Sequence, residues 1–232
     1  FPSLIHALNL TKHCQQHMVD AILFDFDGTI ADTAPDLGHA LNRQRINRGL
    51  PSLPISIIRT QASAGSRGLL YLGFNLVPTH PEYELMREEF LQFYTERLCH
   101  DTCLFPGIAD ILDHLDSSNI PWGIVTNKPS RFTKPIVQSL GLINRAACII
   151  SGDDTPHTKP HPEPLLHACN QINAKPANCI YLGDDIRDVK ASLAAGIKPI
   201  VARYGYLGND GPPESWGADH LIDHPKELTH YL

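Results

Sequence analysis

Two acids spaced i, i+2 close the run AILFDFDG: Asp25 and Asp27 follow four apolar residues and precede Gly28 and Thr29. A buried strand does not end in paired carboxylates without compensation, because neighbouring charges repel and lose hydration in a crevice. Comparable groups stand elsewhere in the chain. Thr126 and Asn127 end WGIVTN, Asp184 and Asp185 end CIYLGDD, Asp188 lies one helical turn beyond Asp184, and Lys159 sits in the loop after ACIIS. Hard oxygen ligands that leave room for water and a phosphate suit Mg²⁺, held at roughly 2.0–2.1 Å. A phosphoryl group would complete the metal's ligands, and the lysine would offset its remaining charge. Taken one at a time, each acid reads as a helix cap or a loop residue, and Asp32 and Asp36 read as caps or surface residues. As a set they point to a divalent-metal phosphate site.

The elements that must position these groups are short apolar runs: AILF at 21–24, WGIVT at 122–126, ACIIS at 147–151, CIYLG at 179–183, PIVA at 199–202 and HLI at 220–222. Each is nearly continuous rather than alternating, the pattern of strands covered on both faces. Helical spacing separates most of them, as in Ile108, Ile111, Leu112 and Leu115, or Leu165, Leu166, Cys169 and Ile172. Gly196 reads as a helix stop. Strand and helix in alternation predict an α/β fold with a Rossmann-like parallel sheet. Ligands of such a sheet bind beyond the carboxyl ends of its strands, where the acids, Thr126 and Lys159 all fall.

One interval breaks the alternation. Between 34 and 101 the periodicity is helical only, with candidates at 34–49 and 81–98 and a further pattern at 56–74. The predicted organisation is a core from 18–33 and 102–232, an inserted helical cap domain at 34–101, and an N-terminal extension at 1–17. Small residues and Arg67 in QASAGSRGLL, Gln61 to Leu70, read either as a flexible run reaching over the site or as an ordinary turn with a solvated arginine.

Composition narrows the function classes. With 232 residues, 42 % hydrophobic, 19 % charged and a formal net charge of −6, the chain has the make-up of a folded protein and no electrostatic case for nucleic acid. No apolar run approaches the ~18 residues of a membrane span. Six cysteines lack metal-like pairing, so a reduced, cytoplasmic protein is expected, as monomer or homodimer. No G-x-x-x-x-G-K-[ST] loop and no G-x-S-x-G elbow occurs.

The motifs carry a resemblance. DFDGT resembles the first motif of the haloacid dehalogenase superfamily, and IVTN, KPHPEP and GDDIRD resemble its second, third and fourth, in order. The cap run QASAGSRGLL stands where its phosphoglycolate phosphatases have a glycine-rich loop, and WGIVTNKPSRFTKPI, KPHPEPLLHAC, GDDIRDVKAS, ARYGY, WGAD and DHPKEL resemble their close relatives, the N-acetylmuramic acid 6-phosphate phosphatases. The resemblance implies a Mg²⁺-dependent phosphomonoester hydrolase acting on a small-molecule phosphate ester. Asp25 would be the nucleophile. Asp27 would be the general acid and base. Asp25, Asp184 and the Asp27 carbonyl would hold the metal, with Asp188 behind them or bound through water. Thr126, Asn127 and amides around Gly28 would hold phosphoryl oxygens, and Lys159 would neutralise their charge. Ser63, Ser66 and Arg67 are implied as anion contacts from the cap. Lys128 and Arg131 read as substrate contacts or as surface charges at a helix start. A phosphomutase of the same fold and a non-catalytic binding module are the competing readings.

Overall fold

A computed structural model describes residues 19–232, so the predicted extension at 1–17 lies outside the described residues. β1 (Ala21–Phe24) leads through a two-residue strand, β2 (Ala31–Asp32), into four helices: α1 (Ala34–Asn47), α2 (Ile55–Ala62), α3 (Gly65–Phe74) and α4 (Tyr83–Glu96). The chain returns through β3 (Cys103–Leu104). It then alternates α5 (Ile108–Ser117), β4 (Trp122–Val125), α6 (Ser130–Ser139), β5 (Cys148–Ile150), α7 (Glu163–Gln171), β6 (Cys179–Gly183), α8 (Ile186–Ala195), β7 (Lys198–Ala202) and β8 (His220–Ile222).

Six strands make one sheet in the order β5-β4-β1-β6-β7-β8, every neighbouring pair parallel. β1 sits in the middle, with Phe24 opposite Ile124 on one side and Leu182 on the other. Successive side chains of a strand leave by opposite faces. Ile22 and Phe24 therefore join the side packed by Ile108, Leu112 and Ile136, while Ala21 and Leu23 join Leu165, Ala168 and Ala191. Both faces are buried, which is why the strands read as unbroken apolar runs. No described helix is long and apolar enough to cross a membrane.

Local chemistry fixes the helix that follows the fourth acidic motif. Asp185 accepts the Arg187 N–H, Asp188 accepts the Asp185 N–H in return, and Gly196 ends α8 at φ +71°. The helical insert packs α1 on α4 and α2 on α3, and its apolar side, including Leu37, Leu41 and Phe90, is continuous with the core around Phe26 and Phe132.

One open reading is decided and one expectation needs correction. The segment Gln61 to Leu70 is a tight turn between helices that nonetheless lines the site: α2 reaches Ala62 and α3 starts at Gly65, whose φ of +59° turns the chain sharply enough to resume a helix at once. Asp32 and Asp36 are neither surface residues nor caps. Asp36 is fully buried and accepts the Asp101 and Thr102 N–H groups and the Thr102 hydroxyl, at 3.0, 2.9 and 2.7 Å. Asp32 binds Arg59 bidentately at 2.8 and 2.5 Å and accepts the Tyr206 hydroxyl. These bonds, with the antiparallel β2–β3 pair that sequence patterning missed, tie the two connections of the insert side by side. Strands of two residues carry no periodicity to detect.

Candidate active site

The strand ends converge as the topology demands. Asp25, Asp184 and Asp188 are all buried, and each offers a carboxylate oxygen within 4.8 Å of the other two. Lys159 is buried beside them, its Nζ 2.8 Å from Asp25 Oδ1 and 2.7 Å from Asp188 Oδ1, and it also donates to the Tyr181 hydroxyl at 2.7 Å. Tyr181 in turn donates to the Val125 carbonyl, which moors the lysine to β4. Asp25 Oδ1 also accepts the Phe26 N–H at 2.7 Å, whereas Oδ2 receives no hydrogen bond from the described residues.

Asp184 is gripped from three directions: by the Thr29 hydroxyl at 3.3 Å, the Ser63 hydroxyl at 3.1 Å and the Tyr206 N–H at 2.7 Å. Gly28 lies against it at φ +82°, and a Cβ there would meet Asp184 Oδ2 at 2.1 Å and the Tyr206 ring at 2.8 Å. Glycine is thus required twice, for backbone conformation and for space.

Three carboxylates face one ammonium, and the electrostatics record the imbalance. Burial, with the Asp188 charge, pushes the Asp25 carboxyl from an ordinary 3.8 up to about 7 against the pull of Lys159. Asp184 is driven well above the usual carboxylate range by burial and by the charges of Asp25 and Asp188. Burial opposes the charge of Lys159, but Asp188 and Asp25 outweigh it and raise its affinity for the proton. A site with surplus negative charge and hard oxygen donors fits a divalent cation.

Asp27 stands apart from the three-acid group. Its Oδ1 accepts the Thr33 hydroxyl and pairs with Lys128 Nζ at 2.8 Å, and Oδ2 takes no hydrogen bond from the described residues. Lys128 is buried, with its Nζ 5.0 Å from the centre of the Tyr94 ring, so it is not a surface charge. The Thr126 hydroxyl accepts the Lys128 N–H at 3.1 Å. Asn127 does work the sequence did not suggest. Its carboxamide exchanges two hydrogen bonds with the Lys159 backbone, at 2.8 and 2.9 Å, so this side chain positions the lysine loop rather than presenting its polar end to a phosphoryl group.

A cavity of about 380 Å³ opens between these groups and the helical insert. Asp25, Asp27, Thr126, Asn127, Lys128, Lys159 and Asp188 line its floor, and Arg67 and Arg131 line it from α3 and α6. Ser63 lines it too, but the Ser63 hydroxyl is engaged by Asp184 and the Ser63 carbonyl accepts Arg187 at 2.8 Å. Tyr206 and Ser63 support the acids without carrying a catalytic motif of their own. The run ARYGY was the only sign of Tyr206.

Comparison with known proteins agrees with this geometry. The pattern of the family described as haloacid dehalogenase-like hydrolase matches residues 22–202. The chain belongs to that family. It is 41 % identical over 208 residues to an N-acetylmuramic acid 6-phosphate phosphatase of Pseudomonas putida, covering 90 % of this chain and 93 % of that one. It is 39 % identical over 208 residues to a phosphoglycolate phosphatase of Xanthomonas campestris, covering 90 % and 94 %. Among solved structures, one from Haemophilus somnus described as a predicted phosphoglycolate phosphatase superposes with a TM-score of 0.81 at 24 % identity, covering 94 % of this chain and 99 % of that one, a likeness of fold. This haloacid dehalogenase-like chain is an enzyme of the phosphatase class. Asp25 and Asp184 directly follow β1 and β6, Asp188 stands in the first turn of α8, and Lys159 lies in the loop between β5 and α7.

Proposed function

We propose that the chain is a magnesium-dependent phosphomonoester hydrolase, acting through an aspartyl-phosphate on a small phosphorylated metabolite of the phosphoglycolate or N-acetylmuramic acid 6-phosphate type. The observation that carries this reading is the buried Asp25–Asp184–Asp188 group with Lys159 against it, of which Asp25, Asp188 and Lys159 line the floor of one cavity. Mg²⁺ held by Asp25, Asp184 and the Asp27 carbonyl, with Asp188 behind them, would supply charge neutralisation at the phosphoryl oxygens.

Within this arrangement Asp25 attacks phosphorus through Oδ2, the oxygen left without a hydrogen bond, while Lys159 and the Phe26 N–H hold Oδ1. Asp27 is held the same way. Thr33 and Lys128 fix Oδ1 and leave Oδ2 to give a proton to the departing alkoxide, then to take one from the water that hydrolyses the acyl phosphate. Lys159 offsets the charge that spreads over the phosphoryl oxygens, and the Thr126 hydroxyl and neighbouring amides orient them. Asn127 keeps Lys159 in register.

The test is phosphate release from a panel of esters with Mg²⁺, including phosphoglycolate, N-acetylmuramic acid 6-phosphate and common sugar phosphates. A rapid acid quench should leave a radiolabelled phosphoryl group on the peptide that contains Asp25. Isomerisation of a sugar phosphate without phosphate release would overturn the reading in favour of a phosphomutase.

A further inference from the structure

The acids of the site draw their supports from two parts of the chain. Asp25 is held by Lys159 and the Phe26 N–H, Asp27 by Thr33 and Lys128, and Asp188 by Lys159 and the Asp185 N–H. All of these donors lie outside the helical insert. Asp184 is the exception. Its Oδ2 accepts the Tyr206 N–H at 2.7 Å and, at 3.1 Å, the hydroxyl of Ser63, a residue of the insert. Two donors occupy that oxygen, which leaves Oδ1, with only the 3.3 Å contact from Thr29, the more open of the pair.

Ser63 is gripped at its other end as well. It sits in the short turn between α2 and α3, and its carbonyl accepts Arg187 Nη2 at 2.8 Å. Arg187 is fixed in turn by Asp185, which accepts its Nε and Nη2 at 2.7 and 2.8 Å. The consecutive acids Asp184 and Asp185 therefore hold one serine, the first by its hydroxyl and the second, through the arginine, by its carbonyl. Arg59 stands four residues before Ser63, and residues so spaced share a helix face. It binds Asp32, which accepts the Tyr206 hydroxyl, and the Tyr206 N–H returns to Asp184. The α2 segment is thus tied to one carboxylate twice, directly through Ser63 and indirectly through Tyr206.

We infer that Ser63 is a positioning residue for the metal, through which the seating of the helical insert and the binding of Mg²⁺ at Asp184 are coupled. The inference rests on the magnesium-dependent reading and adds the insert to it as a second control on the ion. A group that hydrogen-bonds a metal-ligating carboxylate aims it, and loss of such a group typically costs about 10–100-fold in metal affinity. With the insert seated, the Ser63 hydroxyl supplies that bond; with the insert lifted, Asp184 keeps only Thr29 and Tyr206. Coupling of this kind is reciprocal. An ion that binds the seated form more tightly must hold the insert down by the same factor. A serine that merely completed the turn would produce neither effect.

The experiment uses the full chain without any ester. Isothermal titration calorimetry gives the Mg²⁺ Kd, and amide hydrogen exchange follows the segment 55–74 with and without saturating Mg²⁺. In the intact protein Mg²⁺ should slow exchange across 55–74. Ser63→Ala should raise the Kd by about tenfold and reduce that slowing, whereas Ser63→Thr, which keeps the hydroxyl, should stay within about threefold of the parent. The metal-free Tm of Ser63→Ala should fall by no more than about 2–4 °C, the effect of one lost hydrogen bond. A Kd for Ser63→Ala within about threefold of the parent's, or exchange in 55–74 that Mg²⁺ leaves unchanged in the intact protein, would overturn the coupling. The hydrolase reading would then stand if Mg²⁺ still binds and supports phosphate release. A chain that binds no Mg²⁺ would overturn both. Should Ser63→Ala fail to fold, the exchange of the intact protein decides alone.

Discussion

Replacing Gly28 by alanine adds one methyl group at the point where the first acidic motif touches the fourth. The new Cβ would lie 2.1 Å from Asp184 Oδ2 and 2.8 Å from the Tyr206 ring, at a backbone φ of +82°. An L-residue in that left-handed region costs about 1–2 kcal/mol. Overpacking of a filled site adds typically 1–3 kcal/mol. The sum, about 2–5 kcal/mol, corresponds to a fall in Tm of roughly 4–20 °C for a chain of this length. Relief is blocked on both sides, because Asp184 is pinned by Tyr206, Ser63 and Thr29. The carboxylate must therefore move with its supports, and the Mg²⁺ concentration for half-maximal activity should rise by about 10–100-fold, the usual effect of disturbing the groups behind a metal ligand. Differential scanning calorimetry and a Mg²⁺ titration of ester hydrolysis read the two effects independently. A Tm within about 1 °C of the parent, together with an unchanged Mg²⁺ requirement, would refute both the tight Gly28–Asp184 contact and the metal role given to Asp184.

Other outcomes follow from the same geometry. Asp27→Asn should lower kcat by roughly 10²–10⁴-fold while the far-ultraviolet circular dichroism stays that of the parent, and near-normal hydrolysis would contradict its acid–base role. In the presence of a chelator, stability should fall as pH rises from about 4 to about 7, because over that interval folded Asp25 retains a proton that the unfolded chain has released. Mg²⁺ competes with that proton, so the rise in Tm on adding Mg²⁺ should be larger near pH 8 than near pH 5; equal rises would count against the assignment. Asp36→Ala strips partners from three donors at the base of the insert and should cost about 3–5 kcal/mol in urea unfolding, against less than about 1 kcal/mol for a surface acid such as Glu84→Ala.

The sheet was legible because its strands are buried on both faces, a burial that demands unbroken apolar runs as short as CIYLG. The acids were legible because they interrupt those runs: Asp25 and Asp184 stand where burial should have ended and instead continues. Asp36 and Asp32 were not, since what makes a carboxylate structural is a partner dozens of residues away, and Thr102 and Arg59 have nothing local that points to it. Asn127 shows the same limit in a motif residue. Its type and place suggested a phosphate contact, but its bonding partners are set by how the Lys159 loop folds back over β4.

The paired connections at Asp32 and Cys103 have a consequence beyond holding the insert in place. Because the chain leaves and re-enters the sheet at residues facing each other across β2 and β3, whatever is threaded between them adds nothing to strand order or crossover handedness. Such a junction lets helices be lengthened, exchanged or reshaped without disturbing the strand order, so long as the Ser63 contacts to Asp184 and Arg187 are kept. Selectivity can drift in evolution, or be re-engineered, as a cassette plugged into an unaltered chemical platform.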